Sequence, residues 1–243
     1  MDDFSGKAVV ITGAARGQGL LEAQLLVERG ASVVICDVLE DAGREAARSL
    51  GPRATFVLMD VTQEADWRNA LDVAKTLGQV YGLVNNAGIY DPAPIDATSV
   101  ENFDRHYRVN QLGPFLGMKI FAEHMRTIKD GCIINIGSAA GMRGSPNSFS
   151  YCATKWALRG MTKALAADVG KDNVRVNYIA PGPVNTSMIH FRGEAENQRR
   201  AQQVPLGRLA DAEDVAPTVI FLLSDASRYT TGAEIVIDGG LYL

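Results

Sequence analysis

The sequence has no cysteine pair at metal-binding spacing, no basic excess and no long apolar run. Its three cysteines, Cys36, Cys132 and Cys152, are odd in number and include no C-x-x-C. They read as reduced, mostly packed thiols in a reducing compartment. His106, His124 and His190 lie far apart and form no ligand pattern, so no metal is expected. The 24 Lys and Arg against 28 Asp and Glu give a formal charge of −4, which carries no general attraction for nucleic acid or an anionic membrane. Arg199-Arg200 is an isolated basic pair. No stretch approaches the ~20 apolar residues that span a bilayer. The acidic start Met1-Asp2-Asp3-Phe4-Ser5 does not read as a signal peptide. A cytoplasmic protein without nucleic-acid or membrane partners is expected. Internal repeats and low-complexity linkers are lacking too.

What the chain does have is 243 residues, nearly half of them hydrophobic, enough for one large α/β domain with a substantial core. Short apolar runs alternate with longer periodic segments. Lys7-Ala8-Val9-Val10-Ile11-Thr12 is continuous and β-branched, as in a strand buried on both faces. Further strands are expected at 32–36, 55–59, 81–84, 132–136, 174–179 and 233–237. Helices are expected at 18–29, 41–50, 63–77, 99–127, 150–169 and 211–223. Leu20, Leu21, Leu25 and Leu26 mark one side of the first helix; Trp67, Leu71 and Ala74 mark the inner face of the third. The long helix is predicted to bend near Gly113-Pro114, because proline removes a backbone donor. This alternation implies right-handed βαβ crossovers: a Rossmann-type, doubly wound, mostly parallel seven-stranded sheet with helices on both faces. A single dinucleotide-binding and catalytic domain over 1–243 is expected. Residues 183–205 lack periodicity between Pro181-Gly182-Pro183 and Pro205, and are expected to form a substrate lid.

Ligands of open α/β sheets bind beyond the carboxyl ends of the strands. After the first strand comes Thr12-Gly13-Ala14-Ala15-Arg16-Gly17-Gln18-Gly19, opening a helix. Gly13 permits the tight turn, Gly17 lets the backbone approach a pyrophosphate, and Gly19 lets helix pack on strand; the helix N-terminus offers free N–H groups to phosphate. The spacing departs from G-x-G-x-x-G, so strand-before and helix-after carry the reading. Asp37 ends the second strand about 20 residues past the turn, where a carboxylate bonds adenosine ribose hydroxyls and repels a 2′-phosphate. It favours NAD over NADP, although Arg16 nearby is the kind of residue that accepts a 2′-phosphate. Asn85-Asn86-Ala87-Gly88 follows the fourth strand and Ser138 the fifth. Tyr151 and Lys155 sit four apart on one helix face. Alcohol oxidation needs a base, and a phenol, ordinarily titrating near pH ~10, is made more acidic by a nearby ammonium. A serine can stabilise charge developing on the substrate oxygen.

Taken together these motifs resemble the short-chain dehydrogenase/reductase family, over Lys7 to Gly240. The resemblance implies an NAD(H)-dependent alcohol dehydrogenase or ketoreductase, with Asn110, Ser138, Tyr151 and Lys155 as its catalytic set. Tyr151 would be the acid/base, Lys155 would also bond the nicotinamide ribose, and Asn110 would hold a relay water. It implies a cofactor site of Gly13, Arg16, Gly17, Gln18, Gly19, Asp37, Val38, Asp60, Val61, Asn86, Ala87, Gly88, Pro181, Gly182, Val184 and Thr186, together with Tyr151 and Lys155. Val184 would bond the nicotinamide amide. Gly137 and Gln18 depart from the family's usual residues. Ala139, Ala140, Met142, Phe149, Met188, Ile189, His190 and Phe191 are expected to wall a mostly apolar pocket for a hydrophobic secondary alcohol or ketone: a hydroxysteroid or a cyclic, terpenoid or aryl alcohol. The resemblance also implies a homotetramer, paired through the helices of 99–127 and 150–169 and through the last helix and strand. Two other readings remain at this stage. A 3-oxoacyl-[acyl-carrier-protein] reductase is disfavoured by Asp37 and the acidic balance. A non-catalytic NAD-sensing protein is disfavoured by the complete catalytic set.

Overall fold

The structure is a computed structural model and describes residues 3–242. It contains seven parallel strands: β1 (Lys7–Thr12), β2 (Ser32–Asp37), β3 (Ala54–Leu58), β4 (Gln79–Asn85), β5 (Gly131–Ile136), β6 (Val174–Pro181) and β7 (Glu234–Ile237). They form one sheet in the order β3-β2-β1-β4-β5-β6-β7. The chain winds outward from β1 to β3 and then restarts from β4 on the other side of β1, so a crevice opens where β1 and β4 diverge at their carboxyl ends.

Strict alternation along each strand feeds two cores. Ala8 and Val10 of β1, with Val34 and Cys36 of β2, point into one core beside Trp67, Phe121 and Leu158. Val9 and Ile11, with Val33 and Ile35, point into the other beside Leu26, Val219 and Leu222. The first core is covered by α3 (Glu64–Leu77), α5 (Gly113–Ile128) and α6 (Phe149–Val169), the second by α1 (Gly17–Val27), α2 (Glu40–Leu50) and α8 (Ala212–Leu223). Continuous β-branched strands are what a sheet covered on both sides requires.

Three elements differ from the sequence expectation. The inner face of α1 is Gly19, Glu22, Ala23 and Leu26, with a glutamate inside, while Leu20 and Leu25 are only partly buried. The helix expected over 99–127 runs continuously through α4 (Val100–Tyr107), a π-helical turn (Arg108–Leu112) and α5. The π turn directly precedes Gly113-Pro114, where the proline lacks a donor. Within 183–205 lies α7 (Glu194–Gln203). Its acidic first turn and arginine-rich end give a helix with no apolar stripe for a periodicity reading to detect.

Candidate active site

The glycine turn is fastened before anything binds to it. Gly13 has φ +66°, and a Cβ there would lie 2.8 Å from the Ala87 Cα, so only glycine fits. Asn86 Nδ2 donates to the carbonyls of Thr12 (2.9 Å) and Gly13 (3.1 Å). The buried Thr12 hydroxyl accepts from the N–H groups of Asn86 and Ala87. Asn86 therefore ties the β4 loop to the turn. Gly19 does not reach the crevice: it packs against Gly13, Ala14 and Asn86. No side chain caps the N-terminus of α1, so its first N–H groups remain for an anion.

Asp37 ends β2 with both carboxylate oxygens engaged. Oδ2 accepts from Ala15 N (3.1 Å) and Oδ1 from Leu39 N (3.1 Å), which holds the charge beside the glycine turn. Val61 lies next to it in the crevice, fixed because its carbonyl accepts from Trp67 Nε1 at 2.8 Å.

A single cavity of about 1090 Å³ runs from this turn to the ends of β5 and β6. Among the expected cofactor residues, Gly13, Arg16, Gly17, Gln18, Asp37, Val38, Asp60, Val61, Asn86, Ala87, Gly88, Pro181, Gly182, Val184 and Thr186 line it; so do Ser138, Tyr151 and Lys155. The cavity is long and has an uncapped helix end and an acid at one side. Those residues fit a dinucleotide.

At the other end Tyr151 and Ser138 line the cavity together, and the Ser138 side chain lies close enough to the phenol to favour its ionised form. Lys155, one turn further along α6, is buried; its Nζ donates to the Ile136 carbonyl at 2.8 Å and lies 5.6 Å from the Tyr151 ring centre. Burial pulls the amine down to about 8. Burial also pushes the Tyr151 phenol above its ordinary value, with Ser138 only partly opposing it. Desolvation disfavours the phenolate, so in this chain alone Tyr151 keeps its proton.

Asn110 lies behind the cavity wall rather than in it. It is completely buried in the π turn; its Oδ1 accepts from Ile89 N (2.8 Å) and its Nδ2 donates to Ile89 O (2.9 Å). A Cβ on Gly88 would sit 3.3 Å from Asn110 Oδ1 and 3.7 Å from Lys155 Nζ, so Gly88 keeps the space between them open.

Ala139, Ala140, Met188 and Ile189 line the cavity as expected. Two expected pocket residues do not. Phe149 is 54% exposed and packs its ring against Phe103, centroids 6.4 Å apart, on the outer surface of α4 and α6. Met142 is partly buried and packs against the core covered by α3, α5 and α6. Both misplacements have one cause: proximity to Ser138 and Tyr151 along the chain does not say which way a side chain turns. The side chains of His190 and Phe191 lie outside the described residues.

Sequence reasoning missed two residues here. Tyr90 lines the cavity with its ring edge-on to Tyr151, centroids 4.9 Å apart; its place two residues past Gly88 was the available signal. Tyr178 of β6 is fully buried. Its hydroxyl accepts from Ser138 N (3.1 Å) and shares its proton between the carbonyls of Ser138 (3.2 Å) and Lys155 (3.3 Å). A Cβ at Gly137 would lie 1.8 Å from the Tyr178 ring, so Gly137 is glycine because Tyr178 fills its side-chain space. Among the described residues no group of three or more His, Cys, Asp or Glu is placed to hold a metal, and no helix is long and apolar enough to cross a membrane.

A parallel sheet with a cofactor-shaped crevice, ending at a phenol, a serine and a buried amine, defines a dinucleotide-dependent oxidoreductase. Comparison with known proteins narrows this. A family model described as enoyl-(acyl carrier protein) reductase matches residues 13–242. The chain is 40% identical to trans-4-hydroxycyclohexanecarboxylate dehydrogenase of Sinomonas cyclohexanicum, covering 98% of this chain and 94% of the relative. It is 40% identical to a 3-alpha-(or 20-beta)-hydroxysteroid dehydrogenase of Mycobacterium tuberculosis, covering 97% and 89%. It is 39% identical to a cyclopentanol dehydrogenase of Comamonas testosteroni, covering 99% and 98%. The chain belongs to the short-chain dehydrogenase/reductase family. It is an alcohol dehydrogenase or ketoreductase that uses a nicotinamide cofactor.

Proposed function

We propose that this enzyme interconverts a hydrophobic, cyclic secondary alcohol and its ketone with NAD(H), using Tyr151 as the acid/base. The observation that carries the reading is that Tyr151, Ser138 and Lys155 open onto the same cavity as the glycine turn and Asp37. The three relatives named above act on ring alcohols, by their names, which supports a ring-bearing substrate.

In the direction of ketone reduction, the protonated Tyr151 donates to the carbonyl oxygen while the Ser138 hydroxyl holds that oxygen. In the reverse direction Tyr151 takes the alcohol proton. Lys155 supplies positive charge as the phenolate forms, and Gly88 leaves the gap for a water, held by Asn110, that links Lys155 to solvent. A nicotinamide cofactor held by the glycine turn, Asp37 and Lys155 would supply the hydride chemistry. The Val184 N–H, which has no partner among the described residues, is left for the carboxamide. Asp37 is assigned to the ribose hydroxyls and so to NAD rather than NADP. Residues 183–205 are assigned to a lid over the substrate, and the exposed aromatic residues of α4 to α6 to a homotetramer interface.

The test is a panel of cyclic secondary alcohols with NAD⁺ and NADP⁺, followed by absorbance of the reduced cofactor, with Tyr151→Phe alongside. Turnover with NAD⁺, lost by about 10³-fold or more in Tyr151→Phe while NADH titration stays near wild type, is the expected result. Turnover that survives the substitution refutes the role given to Tyr151, and preference for NADP⁺ refutes the cofactor assignment.

A further inference from the structure

Besides Arg16 at the glycine turn, four arginines line the cavity: Arg105, Arg143, Arg199 and Arg200. Arg105 is paired with Asp91. Arg199 and Arg200 share one carboxylate, each Nε lying 2.9 Å from an oxygen of Glu196. Arg143 has no acid within ion-pair distance among the described residues.

Arg143 is nevertheless held in place. It follows the 3₁₀ turn Ala139–Gly141 directly after Ser138, and its N–H donates to the Ala139 carbonyl at 3.2 Å. Its guanidinium lies 3.5 Å from the centre of the Tyr242 ring, and both residues line the cavity. A stacked guanidinium keeps its in-plane N–H donors free, and their fork matches a carboxylate. Alongside the polar Ser145, Asn147, Ser148 and Gln203, the cavity is lined by the apolar Ala139, Ala140, Met188 and Ile189. They suit a hydrocarbon ring but leave a charge at its far end to be met.

We infer that the enzyme's preferred substrates are ring alcohols or ketones bearing one carboxylate away from the carbinol carbon, with Arg143 as the residue that selects it. This rests on the proposed reading of the site and names the substrate class within it. Tyr242 acts through Arg143 by fixing the plane of the guanidinium. Neutral ring alcohols of the same size fill the apolar walls but leave Arg143 without a partner.

The experiment compares 4-hydroxycyclohexanecarboxylate, its neutral carboxamide and cyclohexanol as substrates with NAD⁺, for the wild type, Arg143→Gln and Arg143→Glu. The wild type is expected to favour the acid over the amide by about tenfold or more in kcat/KM, expressed mainly in KM, as for a charge-assisted pair. That ratio should fall to near unity in Arg143→Gln and invert in Arg143→Glu. A wild-type ratio at or below unity, or a preference that persists in Arg143→Gln, overturns the inference while turnover of the neutral alcohols leaves the dehydrogenase reading standing. Failure of all three substrates overturns that reading and the inference with it.

Discussion

Tyr178 and Gly137 act as one unit. The phenol of Tyr178 holds Ser138 by both its N–H and its carbonyl and reaches the backbone of Lys155, so one hydroxyl sets the spacing of Ser138 from the Lys155 turn of α6. Tyr178→Phe keeps the packing and removes only these bonds. It is expected to lower kcat about tenfold, as loose positioning does, with NAD⁺ affinity near wild type; steady-state kinetics and cofactor titration measure the two separately, and an unchanged kcat defeats the assignment. Glu22 is a second buried polar group, inside α1 with Oε1 accepting from Gln18 (2.9 Å) and Oε2 without a partner. Burial raises its carboxyl to about 8. An unfolded chain releases that proton near pH ~4.3. The folded state therefore holds a proton that the unfolded state loses, and stability drops as pH rises from there to about 8, then levels. Glu22→Gln keeps the acceptor for Gln18 and removes the titration. It should raise stability by roughly 2–4 kcal/mol above pH ~8 and far less near pH ~4. Urea melts at both pH values decide this; an unchanged pH slope would refute it.

At the scale of the element, the π turn Arg108–Leu112 does what the expected proline bend could not. A π turn inserts one residue into the helical spiral and is commonly found at functional sites. Here it swings Asn110 inward to clamp the backbone of Ile89, next to Gly88 and the cavity. Deleting Gln111 restores a regular helix and rotates Asn110 away by about a quarter-turn. The deletion variant is expected to melt cooperatively with near-native circular dichroism while losing about a hundredfold in kcat; activity within twofold of wild type would contradict the role of the turn. The bend was expected at Gly113-Pro114 because sequence marks where a hydrogen bond is missing. It does not mark where an extra residue is absorbed. The helix α7 was illegible for a related reason: Glu196, Arg199 and Arg200 pair along its surface, and such pairs leave no hydrophobic period.

Across the whole molecule, apolar groups left outside the two cores form a face of their own. On α4, α5 and α6, Met118, Phe121 and Leu158 are buried in the core, while Phe103, Phe115, Phe149 and Trp156 are exposed. Phe103 and Phe149 pack together, and large exposed apolar patches mark interaction surfaces. The pair Phe103→Glu and Phe149→Glu is expected to shift the sedimentation coefficient of a tetramer to that of a smaller species without unfolding it. A wild type that sediments as a monomer would remove the assembly proposal.

Much of this was legible beforehand. The parallel seven-stranded sheet follows from β-branched runs alternating with amphipathic segments, and the site from groups standing just past strand ends: Gly13, Asp37, Asn86, Ser138, and Tyr151 with Lys155 one turn on. These are local relations, carried by periods of two and 3.6 residues and by chain order. Other features needed distant parts of the chain to meet: the yielding of Gly137 to Tyr178, the retreat of Asn110 behind the wall, the outward turn of Phe149, the retraction of Lys155 to Ile136, and the seating of Arg143 on Tyr242. Sequence order states which residues are neighbours along the backbone. Only close packing across the sheet fixes which of two directions each side chain takes and which charges are left without a partner.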